Sequence, residues 1–140
     1  MTSDCVFCRI VAGEVESALV CEDELACCFV DRQQLADGHV LVVPRRHVRE
    51  LYELTEDEAA ALGVMVLRVA RAVRDAYEPE GLNIWQSNGG AAGQRVFHVH
   101  FHIHPREHAD GLFSYNKTPA RRGNDHLHSI AQRVQAHLAD

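Results

Sequence analysis

The chain has 140 residues, 46% hydrophobic and 24% charged, with 20 acidic against 14 basic side chains and a net charge of −6. That length suits one domain with a real core and leaves no room for two ordinary ones, and the acidic balance argues against a groove for DNA or RNA. No apolar run approaches the ~20 residues of a membrane span and the N-terminus shows no signal-peptide hydrophobic stretch, so a cytoplasmic protein with neither membrane nor nucleic acid as partner is expected.

In chain order, Cys5 and Cys8 come first as a Cys-x-x-Cys pair. Three readings stand at this point: a redox motif, a metal site or coincidence. No strand precedes the pair, which counts against a thioredoxin-type role. The total of five cysteines is odd and fits a reducing compartment better than a disulfide framework. Ala18 to Asp31 holds two short apolar stretches separated by Glu22-Asp23-Glu24, which predicts a β-hairpin with Cys21, Cys27 and Cys28 as small core residues. After the turn signal Asp37-Gly38, residues 39–44 read as a buried strand ended by Pro44. Thr55 followed by Glu58 has capping-box spacing and opens a long helix to about Tyr77, with Leu62, Val66, Val69 and Val73 along one stripe. Leu82 to Ser87 is a fourth strand, and the glycine-rich loop from Asn88 to Gln94 leads from it into a fifth, at residues 96–106. The short loop makes those two strands antiparallel neighbours. Residues 107–123 read as irregular, and Asn124 is expected to cap a last helix carrying Leu127, Ile130, Val134 and Leu138 on one face. The fold class is α+β: an antiparallel sheet of about five strands packed against a long helix, with a C-terminal helix.

The fifth strand has a histidine at every second position from His98 to His104. Successive strand side chains point to opposite faces, so all four imidazoles are expected on one side, with Phe97, Val99, Phe101 and Ile103 forming an apolar back. Imidazole is the side chain best suited to proton transfer and nucleophilic attack near neutral pH, and it is a common metal ligand. The glycines just upstream let backbone N–H groups approach an anion, and amide side chains there donate without adding charge.

The run His98-Val-His100-Phe-His102-Ile-His104 resembles the His-φ-His-φ-His-φ-φ signature of the histidine triad (HIT) family, φ being apolar. The segments from Cys5 to Glu14, from Gly38 to His47 and from Ala92 to Gln94 resemble family segments in the same order. The resemblance covers roughly residues 4–106, taken as a HIT domain, and leaves 107–140 as a variable C-terminal segment whose terminal helix packs on the same domain. It implies a HIT-like fold and nucleotidyl hydrolysis or transfer at an α-phosphate. The middle histidine, His100, would be the nucleophile and form a nucleotidyl-histidine intermediate that water cleaves. Its ring would be held in one tautomer, a task for a backbone carbonyl of the neighbouring strand. His102 would flank the phosphate, and His39 and His98 would complete the catalytic set. Asn88, Gly93 and Gln94 match a loop contacting the phosphate and leaving group, Asp31 a carboxylate holding the ribose hydroxyls, and Phe7, Ile10 and Phe29 the walls around a purine base, expected to be adenine.

Family members that open with Cys-x-x-Cys bind a structural zinc, which here implies Cys5, Cys8, His47 and His98 as a closed tetrahedral set. No organic cofactor is implied. Two positions depart from the pattern. Arg95 stands where the phosphoramidate-cleaving branch has a serine or threonine, and it would favour a more anionic leaving group; His104 replaces an apolar residue and is expected to be a bystander, the alternative being that it tunes His102. His108, His126, His128 and His137 are assigned no role. The resemblance also implies a homodimer through the helix from Thr55 and the strand from Leu82, giving a continuous ten-stranded sheet. Beside a phosphoramidate-type hydrolase stand a dinucleoside polyphosphate hydrolase, a hydrolase with catalytic zinc on His98, His100 and His102, and a non-catalytic nucleotide-binding protein.

Overall fold

A computed structural model describes residues 4–112 and 120–139. The elements are α1 (Val6–Val11), β1 (Leu19–Glu22), β2 (Ala26–Val30), β3 (Gln33–Gln34), β4 (Val40–Pro44), α2 (Glu56–Tyr77), β5 (Gly81–Trp85), β6 (Phe101–Arg106), β7 (Ala120–Arg121) and α3 (Asn124–Gln135). Five strands form one sheet in the order β1-β2-β4-β6-β5, every neighbouring pair antiparallel, and β3 pairs with β7 in a small second sheet.

The alternation of side chains along β2 and β4 builds two cores. Cys28, Val30, Val40 and Val42 point to one face and meet Leu62, Val69 and Val73 of α2 and Ile130 and Val134 of α3. Cys27, Phe29, Leu41 and Val43 point to the other face and meet Phe7 and Ile10 of α1. Each such fully buried aliphatic side chain contributes about 1.5–3 kcal/mol, so the central strands are held from both sides. The capping box at the start of α2 forms as expected, with the Thr55 hydroxyl accepting from Glu58 N–H (3.1 Å) and the Glu58 carboxylate accepting from Thr55 N–H (2.9 Å). Arg46 closes on the same carboxylate at 2.8 Å.

Several expectations are corrected. The histidine strand is shorter than the run of alternating residues: β6 starts at Phe101, and its ladder with β4 covers only Val40↔Ile103, Leu41↔His102 and Val42↔Phe101. Upstream of Phe101 the chain leaves the sheet. Pro44 has no N–H to extend a ladder, and Val99 N–H goes instead to the Val48 carbonyl at 2.8 Å. Phe97 consequently misses the apolar back; it is 37% exposed, with the Arg49 guanidinium 4.2 Å over its ring. Gly123, not Asn124, occupies the cap position of α3, and the Asn124 amide donates to Glu16 at 3.0 Å. Helix α1 and strands β3 and β7 were not expected from the sequence. Of the irregular segment 107–123, residues 113–119 lie outside those described. No helix among the described residues is long and apolar enough to cross a membrane.

Candidate active site

The α1 face of the sheet carries a cavity of about 1180 Å³. Among the residues singled out from sequence, Phe7, Ile10, Phe29, Asp31, Gly93, His100 and His102 line it. His39, His98, Asn88 and Gln94 do not, and each has a visible reason.

Hydrogen bonds to backbone carbonyls set the imidazole tautomers, because a carbonyl only accepts. His100 Nδ1–H donates to the His98 carbonyl at 2.8 Å, which leaves Nε2 with its lone pair in the cavity. The carbonyl comes from the same strand run, two residues back, and not from the neighbouring strand as expected. His98 Nε2–H donates across to the Pro44 carbonyl at 2.8 Å, so its Nδ1 lone pair faces the opposite way. His104 Nδ1–H donates to the Pro105 carbonyl at 2.8 Å, and its buried Nε2 has no partner among the described residues.

His102 meets His39 through Nδ1 and Nε2 at 2.9 Å, and His39 Nδ1 lies 3.5 Å from the Asp31 carboxylate. His102 can therefore face the cavity as a donor when His39 Nε2–H points at it, or as an acceptor when it donates to His39. The three ligating atoms of Asp31, His39 and His102 lie within 4.8 Å of one another, but the two ring nitrogens point at each other across a hydrogen bond, which is the geometry of a proton-sharing chain. Trp85 stacks flat on His102 (4.2 Å between centroids, 7°), and Phe7 stands edge-on to His100 at 5.2 Å. Trp85 is the site residue that sequence reading missed. The β5–β6 register sets Trp85 opposite His102, whereas strands ending at Ser87 and resuming at Val96, joined directly, would have set it opposite His98.

Burial depresses every imidazole in this row. His39 is held well below the ordinary value by desolvation first and then by His104 and His102; His102 is pushed down to about 3 by desolvation, then by His100 and His104. His100 and His104 are lowered too, desolvation again leading. The nucleophile candidate is thus neutral at physiological pH. Below the ordinary value of 6.5 the unfolded chain takes up protons that the folded one refuses, so stability falls as pH drops from there towards the folded values. Each proton taken up only on unfolding makes the slope steeper by about 1.4 kcal/mol per pH unit. Urea denaturation at about pH 7.5 and about pH 5 is expected to show a clearly lower midpoint at the acidic value; equal midpoints would contradict the buried neutral row.

Asn88 and Gln94 turn inward and shape the loop. Gln94 accepts from Gly89 N–H (2.7 Å) and donates to the carbonyls of Arg49 (2.8 Å) and Val96 (3.1 Å), while Asn88 accepts from Leu51 N–H (2.8 Å) and exchanges hydrogen bonds with Gln86. Next to Asp31, the buried amide of Gln34 bridges the loop between β2 and β4. It donates to the carbonyls of Asp31 and His39 and accepts from the N–H groups of Gly38 and His39.

Behind the histidine row, Cys5, Cys8, His47 and His98 converge, their ligating atoms within 4.8 Å of one another. His98 Nδ1 lies 3.4 Å from Cys5 Sγ and 3.5 Å from Cys8 Sγ, and His47 Nδ1 lies 3.2 Å from Cys8 Sγ. The donor chemistry fits a metal ion: two thiols, two imidazole nitrogens, and His98 oriented by its bond to Pro44 as metal-bound histidines are. This cluster could hold a metal. It also commits both nitrogens of His98 away from the cavity, which counts against a catalytic metal on His98, His100 and His102.

A five-stranded antiparallel sheet packed with helices and bearing a row of histidines is the HIT-like fold. The chain belongs to the HIT domain family, which matches residues 12–109. It is 42% identical over 137 residues to "Protein hit" of Bacillus subtilis (strain 168), covering 97% of this chain and 92% of that one. It is 37% identical over 102 residues to the adenosine 5'-monophosphoramidase hnt1 of Schizosaccharomyces pombe, with 73% and 74% covered. To the adenylylsulfatase HINT3 of Arabidopsis thaliana it is 36% identical over 114 residues, with 81% and 58% covered. Among solved structures it is similar to a zinc-bound histidine triad family protein from Mycobacterium smegmatis (TM-score 0.81, 32% identity, 98% and 94% covered).

Proposed function

We propose that this protein is a nucleotide hydrolase or transferase that cleaves nucleoside 5′-phosphoryl conjugates at the α-phosphate through a nucleotidyl-histidine on His100. The observation that carries the reading is the tautomer of His100, whose Nδ1–H is tied to the His98 carbonyl while Nε2 faces the cavity as a free lone pair. The relatives named for phosphoramidate and adenylylsulfate cleavage support the same chemistry. Nε2 attacks phosphorus, the leaving group departs with the bonding pair, and water then breaks the P–N bond. His102, adjustable through His39, meets the phosphoryl oxygens as charge builds on them. Asp31 accepts from the ribose diol, and Phe7, Ile10 and Phe29 wall a purine, adenine by analogy with the named relatives. Gly93 lets the loop backbone approach the phosphate; Asn88 and Gln94 serve by holding that loop.

Cys5, Cys8, His47 and His98 are read as a structural zinc site of the Cys-x-x-Cys branch, supported by their convergence and by the zinc-bound relative. It would tie α1, with its two base-walling residues, to the sheet. Free thiols at these positions suit the cytoplasm. A homodimer is proposed through the unpaired edge of β5 and the outer face of α2, where Ile84, Val64 and Leu67 are exposed.

The test is release of adenosine monophosphate, followed by chromatography, from adenosine 5′-phosphoramidate and from diadenosine tetraphosphate. Release is expected, and the faster substrate chooses between the phosphoramidate and dinucleoside readings. Faster release from the second would favour the dinucleoside reading, and none from either by folded protein would overturn the assignment.

A further inference from the structure

Around the cavity the charge runs opposite to that of the chain. The sequence has 20 acidic against 14 basic side chains, yet among the described residues the carboxylate and guanidinium groups lining the cavity are Asp31 against Arg32, Arg95 and Arg121. The three cations divide by position. Arg32 follows Asp31 directly, and Arg121 pairs with Gln33, so both belong to the ribose end. Arg95 belongs to the other end, on the segment that runs from the glycine loop into His98 and His100.

Arg95 is exposed and has no hydrogen bond or ion pair among the described residues. Its backbone, by contrast, is fixed, because the buried Gln94 amide clamps the loop at Gly89, Arg49 and Val96. An unneutralised guanidinium on a fixed backbone, lining the same cavity as His100, is free to meet an anion there.

The geometry points to Arg95 as the residue that selects, among nucleoside 5′-phosphoryl conjugates, those whose leaving portion is itself an anion: a sulfate, a phosphate or a polyphosphate. This rests on the proposed function and narrows its substrate class. The P–O bond to the leaving group breaks as His100 Nε2 bonds to phosphorus, and its electron pair stays on the leaving oxygen. Sulfate then departs as the dianion with no proton added, and water releases the nucleotide from His100, its proton passing to solvent. Arginine keeps its proton throughout, so Arg95 acts on the charge growing at that oxygen. An amine leaving group needs a proton, which Arg95 does not supply.

The experiment compares adenosine 5′-phosphosulfate with adenosine 5′-phosphoramidate in wild type and Arg95→Gln. The ratio of kcat/KM, sulfate over amidate, is expected to fall about tenfold in the variant; an unchanged ratio, including an equal loss on both compounds, overturns the proposal. Calorimetric binding of the same two nucleotides in a His100→Ala background separates it from the function it rests on. If wild type turns over neither compound but the phosphosulfate binds more tightly and Arg95→Gln removes that preference, the hydrolase reading falls and the selectivity stands. If turnover is normal and Arg95→Gln moves neither ratio, the selectivity falls alone. If neither nucleotide binds or reacts, both fall.

Discussion

Replacing His100 by alanine is expected to reduce release of nucleoside monophosphate by about a thousandfold or more, because the proposed nucleophile is gone. His98 has both nitrogens turned away, towards Pro44 and the thiols, and His102 Nδ1 is engaged with His39. Nucleotide affinity should survive, since Phe29, Asp31 and the loop around Gly93 are untouched. The thermal midpoint should drop only by a few degrees, the loss of one half-polar ring from its edge contact with Phe7 costing about 1 kcal/mol. His102→Ala is expected to do less harm than His100→Ala and to leave a trappable nucleotidyl-protein. Rapid acid or detergent quench with a labelled nucleotide, followed by electrophoresis, reads the adduct directly. An adduct persisting in His100→Ala would place the nucleophile elsewhere.

The second large effect concerns the cluster of two thiols and two imidazoles. Zinc, if it is the resident ion, should be found at one equivalent per chain, and exhaustive chelation or Cys8→Ser should remove it. Helix α1 has six residues, far too few to persist in water without tertiary support. Its order rests on the buried Phe7 and Ile10 and on the cluster at its first turn. Losing the ion is expected to cost several kcal/mol, lowering the thermal midpoint by about 10 °C or more. Nucleotide affinity should weaken with it, since α1 supplies two walls of the cavity. Elemental analysis, differential scanning calorimetry and a binding titration on the same samples check this. A metal-free protein with unchanged midpoint and affinity would reduce the cluster to packing.

The sheet and long helix were legible because their signals are periodic. The two halves of β2 and β4 face two cores, the Thr55–Glu58 spacing makes a capping box, and β5 and β6 pair antiparallel as expected, although the chain between them runs from Gln86 to His100. The convergence of Cys5, Cys8, His47 and His98 was legible only through family resemblance, since nothing local links positions 93 residues apart. What alternation could not reveal is where a strand stops. The run from Phe97 to His104 reads as one ribbon, but Pro44 ends the partner's supply of N–H groups, and the chain upstream of Phe101 rotates His98 out of the row. Helix α1 escaped because six residues are too few for a period, and Trp85 because its role depends on stacking across strands. Gln94 was expected to face the phosphate; its amide is consumed in holding the loop, a choice made by three backbone partners that no pattern in the sequence displays.

Gln34 carries a consequence of another kind. Its one amide group donates to two carbonyls and accepts from two N–H groups in a single bend of chain. Only a side chain with a donor end and an acceptor end can do both. Glutamate, identical in shape, would turn two attractions into oxygen facing oxygen and set a buried charge beside Asp31; leucine or methionine would remove all four bonds and leave the His39 carbonyl with only Asp31 N–H. The bend fixes the positions of both Asp31 and His39, so the proposed ribose acceptor and the inner partner of His102 are not separate inventions of the chain but two ends of one bracket. A mutational survey confined to residues touching the cavity would never include the residue that sets the spacing between them.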